Sequence, residues 1–173
     1  MTYQRTQLPL TPWRLLLSAA IIAASLVLAL AVYFGFLAGG PVQWIGEWTA
    51  GSTSSVLNLL GATTTADGTI LYSSGFAANI VVECTAVGPL LLFMGAVLAF
   101  PSTVKAKGLG FLLGAVALTA VNLVRIVSLF WIGESFPEYL DIAHLLVWQT
   151  AMILAAIILW LAWVERVAVA RAL

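Results

Sequence analysis

The chain has 173 residues, of which 62% are hydrophobic and only 8% charged, with a formal net charge of zero. A soluble domain of this size carries roughly 25% charged residues, so the composition excludes an ordinary soluble fold and points to a membrane protein of one domain, residues 1–173. Neutrality says nothing about partners, no basic patch with interleaved aromatics suggests nucleic acid, and a single cysteine excludes an internal disulfide.

Four apolar stretches are long enough to be read as spans, each needing roughly 20 residues. They lie at about 13–37, 84–100, 109–132 and 140–164. The first exceeds a signal-peptide core and lacks a small-x-small cleavage site, so it reads as a retained helix. Gly39-Gly40-Pro41 ends it. Residues 42–60 then read as a helical stretch with Trp44 and Trp48 four apart, suited to a membrane interface, and weakened or broken at Gly51 and the Ser52–Ser55 run. Asp67-Gly68 reads as a hairpin turn, residues 69–72 and 76–82 as strands, and Ser73-Ser74-Gly75 as the turn between them. The expected architecture is therefore an all-α polytopic membrane protein with about four transmembrane helices. A small extracytoplasmic helix and β-meander, residues 38–83, are inserted between the first two.

Basic residues set the orientation. Arg5 precedes the first span and Arg14 stands at its start, Lys105 and Lys107 lie between the second and third, and Arg166 and Arg171 follow the fourth. With four spans all six fall on one side, the cytoplasm, which also receives both termini. The opposite side carries Glu47, Asp67, Glu83, Glu134, Glu138 and Asp141 and no lysine or arginine.

Three residues far apart in sequence then share one depth. Cys84 opens the second helix. Arg125 lies about 10 Å below the outer rim of the third, and His144 about 6 Å into the fourth. Cys84 and His144 are unique in the chain, and Arg125 is the only basic residue deep within an apolar segment. A nucleophile, a base and a cationic stabiliser are the parts of a thiol-dependent acyl-transfer site. A helix N-terminus favours the thiolate of Cys84. Glu83 fixes the membrane boundary beside it. Asn122, one turn before Arg125, is placed to line the same cavity. Asp141, three residues before His144, either orients the imidazole or caps the helix. The blander readings are a buried structural cysteine, an Arg125 ion pair with Glu83 or Asp141, and an interfacial histidine. No ligand spacing for a metal is present, and no cofactor is called for.

These residues resemble the exosortase/archaeosortase family. The resemblance rests on Glu83-Cys84-Thr85-Ala86, on Asn122-Leu123-Val124-Arg125-Ile126 and on His144, and covers about residues 56–150. Ala86 departs from the glycine common at its position, and the chain is compact, which makes the small subtype exosortase H a candidate. The resemblance implies an enzyme of the prokaryotic cytoplasmic membrane whose active site faces outward. Its implied partners are exported proteins with a C-terminal motif, an apolar helix and a basic cluster, together with membrane lipid and an acceptor nucleophile. The resulting expectation is a cysteine peptidase or transpeptidase with Cys84, Arg125 and His144 as catalytic residues. The rivals are a non-enzymatic membrane assembly subunit with a structural Arg125 ion pair, a small transporter, and an intramembrane protease that only hydrolyses.

Overall fold

A computed structural model describes residues 43–100 and 102–172. The expected first span, with Arg5 and Arg14, lies outside the described residues. Residues 43 onward form one compact unit, mostly helical, with a three-stranded antiparallel sheet.

Helix α1, Gln43–Leu59, is unbroken. The expected interruption at Gly51 does not occur, because the hydroxyls return their hydrogen bonds to the helix. Thr49 Oγ1 donates to Ile45 O, Thr53 Oγ1 to Thr49 O and Ser55 Oγ to Gly51 O. Ser54 instead reaches outward to Thr64, whose backbone N–H donates to Asn58 Oδ1. This ties the end of α1 to the start of the sheet.

A meander is present, with shorter strands than expected and its first turn at Gly68-Thr69 in place of Asp67-Gly68. β1 (Thr65–Asp67), β2 (Ile70–Tyr72) and β3 (Ala77–Asn79) lie side by side in sequence order. Asp67 pairs with Ile70, so Gly68-Thr69 forms the two-residue hairpin loop, and Gly68 takes φ +57°. Gly46 admits the sheet against α1, since a Cβ there would meet Ile80 O at 2.7 Å. Leu71 is the buried side chain of β2, packed with Leu57 and Phe130.

Helix α2, Val87–Ala99, has 13 residues. At about 20 Å it is shorter than the hydrocarbon core of a bilayer. It starts three residues after Cys84, so the expected second span is cut at its N-terminal end. Helix α3, Val104–Ser135, runs 32 residues and absorbs Lys105 and Lys107 at its start. The last helix covers residues 140–172. It opens with a short α turn, passes through a π-helical segment Ile142–Trp148, and continues as α4, Gln149–Ala172. Two helices, Val104–Ser135 and Ile142–Val167, are long and apolar enough to cross a membrane. Among the described residues their outward faces are apolar, with Leu112, Val116, Leu146 and Ile158 all more than half exposed.

α3 buries a stripe with a strict four-residue step: Gly110, Gly114, Leu118, Asn122, Ile126 and Phe130. At the end near the lysines the stripe is glycine. There the Phe93 ring lies on Gly114 and the Trp163 indole on Gly110, where added Cβ atoms would collide with the rings. Phe93, Val97, Leu118, Ala156 and Trp163 form the core of α2, α3 and α4. Trp163 Nε1 donates to Ala106 O at 3.1 Å. At the other end the stripe meets the sheet. Phe76 covers Gly133 and packs edge-on against Phe130 at 5.2 Å, and Ser73 Oγ donates to Glu134 Oε1 at 2.8 Å.

Candidate functional site

Cys84 is positioned by a short chain of backbone constraints. The Ile80 N–H donates to Thr69 O, extending the β2–β3 ladder by one rung. The Ile80 side chain is buried with Ala50 and Ile126. The chain then turns through a 3-10 segment, Val82–Cys84, closed by Cys84 N–H to Val81 O (2.8 Å) and Thr85 N–H to Val82 O (3.0 Å). Buried Thr85 clasps this turn to α2. Its hydroxyl donates to Val82 O at 2.6 Å and accepts from the Val87 N–H at 3.3 Å. Cys84 is thus held on a rigid turn before the helix.

Arg125 sits on the buried face of α3, only 2% exposed, ten residues before the helix ends at Ser135. Its Nε makes no hydrogen bond among the described residues. Keeping a guanidinium at such a place is costly, and charges within apolar helices usually face a cavity where they act.

His144 lies in the π-helical segment. Wide turns of this kind are rare and recur at functional sites. Asp141 has helical backbone angles and makes no capping hydrogen bond with its side chain. The capping reading of Asp141 is therefore overturned; its side chain is exposed, on the same wall as His144.

These elements enclose a cavity of about 290 Å³ whose walls include Cys84, Arg125, Asp141 and His144. The remaining wall is supplied chiefly by residues 76–80 of the meander and by α3 around Ile126. The charge of Arg125 acts on both the thiol and the imidazole, and that of Asp141 acts on the imidazole. The three residues expected at one depth do line one space.

Two expectations fail. Burial pushes the Cys84 thiol above its ordinary range. Arg125 and a backbone hydrogen bond from Val81 oppose that rise, and Glu83 adds to it. The thiolate favoured by a helix N-terminus is not obtained, because Cys84 belongs to the turn before α2 and desolvation outweighs the nearby cation. Asn122, also 2% exposed, lines a neighbouring cavity of about 350 Å³ bounded by Trp44, Trp48, Thr85 and Leu90, and is not part of the wall around Cys84. Its Oδ1 has no hydrogen-bond partner among the described residues. Glu83 is exposed on the 3-10 turn and is not part of the cavity wall.

Two contributions do not follow from the sequence. Thr85 fixes the turn, and the strand expected at 76–82 walls the cavity. The signal for the strand was the extended run that leads without a break into Cys84. The chain matches no family model, no curated protein and no solved structure.

Proposed function

We propose that this chain is a membrane cysteine peptidase or transpeptidase of exosortase type, cleaving a peptide bond near the C-terminus of exported proteins. The observation that carries the reading is the shared cavity: the only cysteine, the only histidine and the one arginine buried among the described residues line it together, with Asp141 on the same wall. Cys84 Sγ attacks the scissile carbonyl, and His144 accepts the thiol proton. A thiol that burial keeps protonated requires such a base, which gives His144 a defined task. Arg125 stabilises the oxyanion. The C–N bond then breaks, His144 returns the proton to the leaving amine, and a thioester remains on Cys84. An amine or water resolves it, giving transfer or hydrolysis respectively.

In this reading α3 and the last helix cross the membrane, the stretch 13–37 supplies another span, and α2 supplies the core of a fourth, with Cys84 on the turn outside it. The lysine end of α3 faces the cytoplasm with both termini, and the sheet faces outward. An apolar substrate helix would lie against the outward apolar faces of the bundle.

One observation favours a different reading. The raised Cys84 thiol is also what an inert buried cysteine would show, as in a non-enzymatic assembly subunit. The two separate in cells. C-terminal sequencing of exported proteins by mass spectrometry, comparing wild type with Cys84→Ala, should find a set that keeps its C-terminal apolar helix only in the variant. Identical C-termini at equal membrane abundance of the two chains would remove the enzymatic reading.

A further inference from the structure

We infer that the free edge of β3 binds the substrate as an added fourth strand, so that the peptide enters in extended form and is held by its backbone beside Cys84. This rests on the peptide-processing reading and names how that site takes its substrate. Among the described residues the sheet order β1-β2-β3 leaves β3 at an edge. The register settles which of its groups are free. Ser73 N–H donates to Phe76 O and Ile80 N–H to Thr69 O, both at 2.8 Å, and Leu71 pairs with Ala78. Residues 76, 78 and 80 therefore turn their backbone groups toward β2. In an antiparallel ladder the intervening residues turn theirs away, so the N–H and C=O of Ala77 and Asn79 point off the sheet. Both residues are exposed.

This edge runs along the reactive cavity. A wall made by one face of a strand would be lined by alternate residues. Here Phe76, Ala77, Ala78, Asn79 and Ile80 all line it in unbroken succession, as they do when a space follows a strand's edge. Cys84 lies five residues beyond Asn79 on the same wall. Two outward N–H and C=O pairs, about 7 Å apart, are matched by another extended backbone. Strand addition of this kind draws affinity from main-chain bonds, while side-chain pockets supply selectivity. It explains why a short meander adjoins the reactive turn. It also predicts that selectivity resides in residues two apart along the substrate.

The test uses the full chain carrying Cys84→Ala, purified in lipid nanodiscs, so that binding is read without chemistry. A displayed octapeptide library is selected against it. The enriched peptide is then synthesised with a fluorescent label and with single backbone N-methyl groups at each position in turn. Strand addition predicts a loss of binding, tenfold or more, at alternate positions and little change between them. Ala77→Pro, which removes one outward N–H from an edge that does not use it internally, should weaken the unmodified peptide at least tenfold. No enrichment, or a peptide insensitive to N-methylation with period two, overturns the proposal, and the N-methyl series decides even if Ala77→Pro does not fold. Binding of this form with no processing of the peptide by wild type would uphold strand addition and sink the enzymatic reading. Processing by wild type without the period would do the reverse.

Discussion

The two ends of the described helices are packed to different purposes. At the lysine end, glycines on α3 let the rings of Phe93 and Trp163 lie directly on the backbone. The polar atoms left without a partner there, Trp160 Nε1 and Ser102 Oγ, are neutral. At the sheet end the same four-residue stripe passes through Asn122 beside Arg125, and the atoms without a hydrogen bond include one on a guanidinium. A neutral orphan costs roughly 1–3 kcal/mol and a charged group more. The charge lies beside the cavity that also holds the thiol and the imidazole; on the proposed reading the sheet end gives up packing for chemistry, while the lysine end is packed for stability.

The largest expected effect breaks the sheet end alone. Arg125→Lys keeps the charge but loses the planar set of donors. If Arg125 holds an oxyanion, processing should fall roughly 100–1,000-fold, the usual loss on removing such a donor. Membrane abundance should stay near that of wild type. Near-normal processing would reduce Arg125 to a counter-charge and erase the contrast between the ends.

The converse substitution strikes the lysine end. Gly114→Leu drives a side chain into the Phe93 ring, and overpacking of this kind costs about 1–3 kcal/mol. Thermal or denaturant unfolding in detergent should register that loss. Processing per folded molecule should hardly change, because the cavity walls are untouched. A fall in specific activity matching that of Arg125→Lys would mean that the two ends are not separable.

Smaller, but sharper in sign, is the titration of Cys84. Burial raises the thiol and Arg125 opposes the rise. At neutral pH the resting thiol should therefore be alkylated by iodoacetamide more slowly than a free cysteine, with the rate climbing only at pH above the ordinary thiol range. Arg125→Ala removes the opposing charge, so its profile should move to still higher pH. A shift to lower pH in that variant would reverse the assigned electrostatics.

Much of this arrangement was readable in the sequence, for reasons that vary by element. Helical and extended signals were local, so the meander and its turns could be placed from Asp67-Gly68 and Ser73-Ser74-Gly75. Depth put Cys84, Arg125 and His144 in one layer, but only packing shows that they line one cavity. What escaped depended on packing. Hydroxyls that bond back into α1 hid its continuity past Gly51. The clasp of Thr85 displaced Cys84 from the helix start. The sign of the thiol's shift turned on burial, which helix position does not reveal. Asn122 and Arg125, three residues apart, proved to line different cavities, because a buried helix face can be shared by two neighbouring spaces.

The central claim is that Cys84 forms a covalent acyl intermediate in that cavity. Mass spectrometry of the intact chain, isolated from its own cells after a rapid acid quench, tests it most directly. The account predicts a hydroxylamine-labile adduct on Cys84 that carries the acyl end of a processed protein, disappears in Cys84→Ala and is strongly reduced in Arg125→Lys. An unmodified Cys84 throughout, with C-terminal processing unchanged in Cys84→Ala, would contradict it.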